Sequence, residues 1–349
     1  MGSLKKLIGL PLEVHDLIFE LLGNVEYKLN LARVDKVLAA AFKYHSRYEF
    51  KCLDVEEVPF RLWGALLPLC GSTIRHVETK NDENISPPYE LIGLYCPNLE
   101  SVGFFLNSRN RGTVGKFIRN MKNLKEISVD LKNASPKLLR FIKDLPDLEE
   151  IYLYNELSSE LSIYEGAMGT WLDNNEYPTF LPKPVNLHDT FSSLKKLRFL
   201  ALSGFNLCSR ETKDEVNFPA LEVLLLDCCV ILSDIPVMPK LKTLGVYGLE
   251  TKDSSNYNWI SKNVNHLECL AICFDHANVL DVVRRCSNLK ILIIVFPAEN
   301  RDLFKAYYET LTDVPEVSDQ MLSEISHIVI RIEDGKRTVT FLTEEFEYQ

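Results

Sequence analysis

The residues of this sequence best suited to metal or redox chemistry are its nine cysteines and seven histidines. Cys269 and Cys273 are the best-spaced pair, since residues four apart on a strand point to the same face. Two ligands alone make a weak metal site, so we interpret them as reduced surface thiols, with a metal or redox pair as the alternative. Cys228 and Cys229 are adjacent, so we expect them to point to opposite faces and to contribute to packing.

Other signatures of catalysis are missing from the sequence, which has no His-Glu-x-x-His and no Cys-x-x-Cys pattern. Gly115-Lys116 resembles the end of a phosphate-binding loop, but Asn110 replaces its first glycine and Phe117 its magnesium-binding Ser or Thr. The pair His188-Asp189 leaves a hidden enzyme as an alternative. We predict a protein that is not an enzyme, with no catalytic residue, no cofactor and no metal site.

The charge of the chain bears on its class of partner. The formal net charge is -10 and the isoelectric point is near 5.3, whereas nucleic acids and anionic membranes select for concentrated Lys and Arg. No stretch approaches the roughly 18 apolar residues of a membrane-spanning helix, so we expect neither nucleic acid nor membrane as a partner. The odd cysteine count and the lack of a signal-peptide core predict a reduced intracellular protein, cytoplasmic or nuclear.

One basic run departs from this acidity. We interpret it as a solvated helix face, with a docking site for a phosphorylated or acidic segment as the alternative. It consists of Arg109, Arg111, Lys116, Arg119, Lys122 and Lys125.

One repeated apolar pattern predicts the secondary-structure elements of most of the chain. An apolar residue is followed by Leu or a relative three and five positions later, and the copies recur mostly every 20 to 26 residues, within the range of leucine-rich repeats. The copies begin at Phe50, Ile74, Leu99, Leu124, Leu148, Leu197, Leu221, Leu241, Leu267, Leu289 and Ile325.

The spacing of this pattern predicts short strands. The second and third apolar positions lie two apart and therefore share one face, which a single strand cannot bury but a parallel stack can. The run Leu221-Leu224-Leu226-Cys229-Ile231 resembles the cysteine-type and ribonuclease-inhibitor-like leucine-rich repeats. We predict an α/β leucine-rich-repeat solenoid over residues 49–349, with parallel strands on the concave face and helices or turns on the convex face.

The strand residues that face away from this core form the predicted recognition surface. Its last strand presents Ile291, Ile293 and Val295, and an exposed apolar patch usually marks a partner site; the alternative is that the C-terminal tail covers them. The predicted target-binding residues are Tyr152, Tyr154, Phe199, Leu225, Tyr247 and Ile293.

Two breaks interrupt the repeats. Residues 155–192 carry no copy and are rich in acids and prolines, which predicts an inserted loop that is either a plain connection or, through Trp171, Tyr177 and Phe180, a binding element. Residues 300–349 contain a helical stretch at 303–312 and a polar, acidic end, which predicts a C-terminal cap.

The first 48 residues follow a helical period instead. Val14, Leu17, Ile18, Leu21 and Leu22 share one face of a predicted helix opened by Pro11. Further apolar residues after the break at Gly23-Asn24 predict two more short helices. The segment is therefore a small all-α domain.

This segment resembles the F-box motif through Leu10-Pro11-Leu12-Glu13, Ile18-Phe19, Leu21-Leu22, Leu29, Leu31, Val34 and Lys36. An F-box followed by leucine-rich repeats implies a substrate receptor of Skp, cullin and F-box ubiquitin ligases. The resemblance implies contact with a Skp-family adaptor and, through it, a cullin-RING complex, while the repeats bind an unknown target protein. It assigns adaptor binding to Leu10, Pro11, Val14, Leu17, Ile18 and Leu21.

Two alternatives stay open at this point. The N-terminal helices can serve only as a cap on the first repeat, which any stacked array needs. The whole chain is then a stand-alone repeat scaffold or inhibitor without a ligase connection. The two are distinguished by whether the helices expose their apolar face or bury it.

Overall fold

The computed structural model divides the chain into two compact units, which are described separately. Unit 1 comprises residues 1–134 and 138–148, and unit 2 comprises residues 135–137 and 149–349. The structure describes residues 7–54, 57–79, 88–107, 109–131, 136–155, 184–209, 218–233, 235–247, 250–251, 258–273, 285–295, 325–333 and 336–343.

Unit 1 begins with the three predicted helices: α1 at Leu12–Leu21, α2 at Val25–Ala32 and α3 at Lys36–Glu49. Their boundaries follow from local chemistry. Pro11 precedes α1, and Gly23 ends it with a φ of 57° that glycine adopts without strain. Asn24 and Asp35 then cap α2 and α3, since each side-chain oxygen accepts a hydrogen bond at 2.8 Å from the backbone N–H two residues later.

An aromatic core and a polar cluster hold these helices together. Phe19 of α1 and Phe42 of α3 are fully buried and pack edge to face at 5.4 Å between ring centroids. His45 links the helices, because its Nδ1 lies 2.7 Å from Oδ1 of Asp16 and its Nε2 lies 3.2 Å from Nζ of Lys28. Lys28 is buried, and its ammonium also donates to Glu49 at 2.5 Å. This pairing is what makes a buried lysine tolerable.

The remainder of unit 1 alternates parallel strands with helices. Each strand copy predicted from the sequence forms, and a helix follows each of the first three strands. The elements are β1 Cys52–Asp54, α4 Phe60–Cys70, β2 His76–Glu78, α5 Tyr89–Tyr95, β3 Ser101–Leu106, α6 Arg111–Arg119 and β4 Glu126–Leu131. Neighbouring strands from β1 to β4 pair in parallel.

Unit 2 continues the pattern with a second set of parallel strands. Strands β5, β7, β9, β11, β13 and β14 lie side by side in that order. The elements are β5 Glu150–Asn155, β6 Val185–Asn186, α7 Leu187–Phe191, β7 Phe199–Ser203, β8 Asn206–Cys208, β9 Val223–Asp227, β10 Val230–Ile231, β11 Thr243–Tyr247, β12 Glu250–Thr251, α8 Asn258–Asn263, β13 Cys269–Cys273, β14 Ile291–Val295, β15 Ile325–Glu333 and β16 Lys336–Thr343.

The core of unit 2 is built from rows of repeat positions that the strand register aligns. Leu200, Leu224 and Leu244 lie directly opposite one another on successive strands, and all three are fully buried. A second row runs through Leu202, Leu226 and Val246 in the same register. Each fully buried Leu contributes about 1.5–3 kcal/mol of burial free energy, so the rows stabilise every strand through its neighbours.

Unit 2 also contains a second, four-stranded parallel sheet in the order β12-β10-β8-β6. The sequence predicted helices or turns here and did not indicate this ladder of two- and three-residue strands. Cys229 and Ile231, the last two positions of the best repeat copy, are buried where β9 leads into β10. The Cys229 thiol donates to the carbonyl of Leu202 at 3.3 Å, so it joins neighbouring repeats.

The C-terminal strands correct one prediction. The copy beginning at Ile325 was expected as a further parallel repeat, but β15 pairs antiparallel with β14 and again with β16. β15 lies beside β14 in the sheet, with Val329 opposite Ile293, so the described part of the tail does not lie across Ile291, Ile293 and Val295. The predicted helix at 303–312 lies outside the described residues.

The predicted insertion at 155–192 is too long at both ends. Asn155 is the last residue of β5, and residues 185–191 form β6 and α7, whose Val185, Leu187 and Phe191 are buried in the repeat core. These short elements carry no Leu-x-x-Leu spacing, which is why the pattern missed them. Residues 156–183, with the aromatic residues named above, lie outside the described residues.

Charged residues form a ladder immediately before the strands. Their signs alternate from Arg75 to Lys125 in unit 1 and from Arg198 to Lys290 in unit 2, whereas Lys51 before β1 has the same sign as Arg75. In unit 1, Glu100 lies 3.5 Å from Arg75 and 3.6 Å from Lys125. In unit 2, Glu222 lies 3.5 Å from Arg198 and 3.3 Å from Lys242, and Glu268 lies 2.7 Å from Lys290. The backbones of successive ladder residues are also hydrogen-bonded, as from the Glu222 N–H to the Arg198 carbonyl at 2.9 Å.

The two faces of α1 predict opposite responses to truncation. Phe19→Ala removes a fully buried ring and is expected to lower the free energy of unfolding of unit 1 by about 3–5 kcal/mol. Leu17→Ala, on the same helix but 57% exposed, is expected to change it by less than about 0.5 kcal/mol. Urea denaturation followed by circular dichroism measures both. Equal losses from the two substitutions would contradict the assignment of the faces.

The ladder predicts an acid-sensitive contribution to the stability of unit 2. The hydrogen bond from Lys242, with Arg198, lowers the pKa of Glu222 from its ordinary value of 4.5, and Lys290 lowers the pKa of Glu268. A carboxyl group whose pKa is lower in the folded than in the unfolded chain stabilises the fold at pH values above its unfolded-state pKa. That stabilisation is lost as the pH falls through the folded-state pKa. Glu222→Gln should flatten the fall of the urea midpoint between about pH 6 and pH 3. An unchanged slope would contradict the prediction; Glu13→Gln, outside the ladder, is the control.

Candidate protein-interaction surfaces

The N-terminal helix α1 presents an apolar face to solvent. Leu10, Pro11, Val14, Leu17 and Leu21 are all exposed, with Leu17 at 57% and Leu21 at 86%. Ile18 is half-buried. The six residues assigned to adaptor binding therefore lie on one strip of α1 and the turn before it, because 14, 17, 18 and 21 are spaced three and four apart.

The opposite face of α1 supplies the packing that holds the helix in place. Phe19 lies in the helical core, and buried His15 donates from Nε2 to the carbonyl of Leu7 at 2.8 Å. The sequence pattern did not identify this face, since His15 and Asp16 interrupt it with polar residues. Among the described residues of unit 1, the apolar strip is therefore exposed rather than packed against the first repeat.

The exposed apolar surface extends beyond the predicted residues. Leu12, Tyr27, Val34 and Val37 are large apolar or aromatic residues on the first three helices, and each is more than a third exposed. Leu12 and Val34 belong to the quoted motif but were not assigned to binding. Their exposure, rather than any periodicity, identifies them.

The second surface is the outward face of the main sheet in unit 2. Tyr154 is 40% exposed, and Tyr152, Phe199, Leu225, Tyr247 and Ile293 are half-buried. Their core-facing neighbours on the same strands are fully buried, which confirms the strand alternation behind the prediction. The six residues lie on five strands of one sheet, β5, β7, β9, β11 and β14.

At the β5 end this surface is aromatic. The rings of Tyr152 and Phe199 pack with centroids 4.8 Å apart and planes at 33°. The Tyr152 hydroxyl donates to Oε2 of Glu150 at 3.1 Å, so a carboxylate lies beside the two rings. Tyr154 follows on the same strand and face, beside the small side chain of Ser203.

Further along the sheet the surface becomes small and apolar. Gly245 and Ala271 lie opposite each other on β11 and β13. A Cβ on Gly245 would lie 2.7 Å from Cδ2 of Leu225 and 3.1 Å from Cε2 of Tyr247, so both side chains lean over the glycine. Replacing Gly245 would displace two of the predicted target-binding residues.

Cations are absent from this surface among the outward strand positions described from β5 to β14. The charged residues at those positions are the carboxylates Glu150 and Asp227. The positions are Glu150, Tyr152, Tyr154, Phe199, Ala201, Ser203, Val223, Leu225, Asp227, Thr243, Gly245, Tyr247, Cys269, Ala271, Ile291, Ile293 and Val295.

The described cysteines divide into buried and exposed residues: Cys70, Cys96, Cys229 and Cys286 are buried, whereas Cys52 and Cys228 are exposed. The prediction of a packing role therefore holds for Cys229 and is wrong for Cys228. Cys228 is exposed and Cys229 is buried, as their adjacency predicted, and burial raises the pKa of the Cys229 thiol to about 12. Burial also raises the pKa of half-buried Cys269, which disfavours the thiolate that a metal or nucleophile requires. The Cys273 side chain lies outside the described residues.

The remaining chemical motifs occupy ordinary structural positions. Gly115 and Lys116 lie inside α6 rather than in a loop, so they do not form a phosphate-binding turn. The basic run extends from just before α6, through the helix, to the segment after it. Arg119 pairs with Asp144 at 3.3 Å, and Lys125 pairs with Glu100. His188 and Asp189 lie in the short helix α7.

Within the described residues, no three His, Cys, Asp or Glu side chains converge as a metal site would require. The helices that can be described are all too short or too polar to cross a bilayer.

Comparison with known proteins assigns no family to this chain. No family model matches the sequence, and no curated protein matches it. Solved structures include matches such as the crystal structure of a TLR13–ssRNA13 complex, which is 14% identical with a TM-score of 0.23. That match covers 66% of this chain, which spans about two fifths, 40%, of the TLR13 chain.

Proposed function

We propose that this protein is the substrate-recognition subunit of a Skp-cullin-F-box ubiquitin ligase. In this proposal the apolar strip of α1 docks on a Skp-family adaptor, and the outward sheet face of unit 2 holds a target protein. The chain contributes proximity between target and ligase, and the transfer chemistry belongs to other subunits. A reduced compartment, cytoplasm or nucleus, is part of the same proposal.

The observation that carries the proposal is the exposure of the apolar strip on α1. Each large side chain left in water forgoes about 1.5–3 kcal/mol of burial free energy, and Leu17 and Leu21 are among the most exposed. A helix that served only as a cap would turn this strip inward. The strip instead suits the insertion of an amphipathic helix into an apolar groove of a partner.

The same observation argues against the alternative of a stand-alone repeat scaffold or inhibitor. Such a scaffold needs a target-binding face but has no use for a second apolar surface at its N-terminus. The two surfaces belong to different units, which suits a receptor with two partners.

The adaptor interaction is tested by co-purification of the full chain with a Skp-family adaptor. Leu17→Asp/Leu21→Asp places two charges in the strip, and the exposure of both residues predicts a folded protein that has lost at least tenfold in adaptor affinity. Circular dichroism and the urea midpoint check that folding is retained.

A matched control is Leu94→Asp on α5, where the leucine is 68% exposed but lies outside the N-terminal helices. This variant should bind the adaptor like the unsubstituted chain. The proposal is wrong if the unsubstituted chain fails to bind any Skp-family adaptor, or if all three proteins bind equally.

A further inference from the structure

We infer that a depression on the outward face of β5, β7 and β9 takes an arginine side chain of the target protein. The inference rests on the proposed function, because it assigns partner chemistry to the target-binding face. It is argued from the side chains around the depression and from the charge of the surface.

The floor of the depression consists of small side chains. Ala201 and Ser203 are the second and third outward positions of β7, and they lie opposite Tyr152 and Tyr154 of β5. On the other side, Ala201 lies opposite Leu225 of β9 and Ser203 lies opposite Asp227. Two short side chains between two taller rows leave a trough that runs along β7.

The walls of the trough differ in chemistry. Tyr152 and Tyr154 form the wall on β5, and Leu225 and Asp227 form the wall on β9. Since adjacent strands lie about 4.8 Å apart, these two walls stand about 10 Å apart at the backbone. That spacing admits one extended side chain lying on Ala201, and Phe199 closes the end of the trough through its contact with Tyr152.

The end of the trough between Tyr154 and Asp227 is suited to a planar cation. The ring of Tyr154 is 40% exposed there. Across Ser203, the exposed carboxylate of Asp227 accepts the Ser203 hydroxyl at 2.9 Å through Oδ2. The Cys228 thiol donates to the other oxygen, Oδ1, at 3.5 Å. Each carboxylate oxygen can accept two donors, so a guanidinium above Ser203 can stack on Tyr154 and also donate to Asp227.

Arginine fits these groups better than lysine. Its flat guanidinium stacks on aromatic rings and offers parallel donors to a carboxylate, whereas an ammonium is a compact, strongly hydrated charge. The described outward positions from β5 to β14 contain no Lys or Arg, so no cation at those positions competes for the site.

The test uses the full chain and a phage-displayed library of random dodecapeptides, followed by fluorescence anisotropy with the enriched peptides. Arginine is expected in the enriched sequences, and replacing it by lysine should weaken binding at least threefold. Asp227→Asn and Tyr154→Ala should each weaken binding about tenfold. Ala201→Leu, which fills the trough without changing charge, should do the same.

The matched control is Glu150→Gln, which removes an equal charge from the same surface outside the trough and should change affinity less than twofold. Equal losses from Glu150→Gln and Asp227→Asn would identify general electrostatic attraction and overturn the inference. Enriched peptides without arginine, or no enrichment at all, would also overturn it.

Adaptor binding, measured on the same variants, separates this inference from the proposed function. All of the trough variants should keep the adaptor affinity of the unsubstituted chain, since α1 lies in the other unit. Enrichment of arginine-containing peptides without adaptor binding would overturn the ligase proposal and leave the trough as the target site of a scaffold. Adaptor binding without arginine selection would overturn the inference and keep the ligase proposal.

Discussion

The structure depends on one constraint: a short strand with an apolar row on one side cannot bury that row alone. Leu224 is buried because Leu200 and Leu244 lie against it in register, and each of these depends on its next neighbour in turn. Stability of this kind is a sum of repeats and of contacts between adjacent repeats. It leaves the opposite side of every strand free to vary, which is why one face of the sheet can carry recognition chemistry.

Much of this fold could be predicted because the constraint leaves a strict spacing in the sequence. Every strand from β3 to β14 with the Leu-x-x-Leu spacing appears where that spacing indicates. The ladder of β6, β8, β10 and β12 was missed because strands of two or three residues carry too little periodicity. The antiparallel pairing of β15 was missed because an alternating apolar strand reads identically in either direction, and only the connection decides.

The two candidate surfaces were predictable to different degrees. The strip on α1 follows directly from helical spacing, but its exposure does not, because the same spacing describes a helix packed against a core. His15 and Phe19 decide the orientation by occupying the inner face. On the sheet, alternation identifies which residues face outward, whereas the trough depends on neighbours across strands, such as Ala201 between Tyr152 and Leu225, that only the register brings together.

Because the charges before the strands alternate in sign, the ion-pair ladder of unit 2 is kept only when repeats are gained or lost in even numbers. Successive ladder residues are joined by backbone hydrogen bonds, so Glu222, Lys242, Glu268 and Lys290 follow one another without a gap. Loss of the single repeat that carries Lys242 would set two glutamates side by side. Loss of two repeats would set Glu222 beside Lys290 and restore the complement, so duplications and deletions in pairs preserve the ladder while single ones break it.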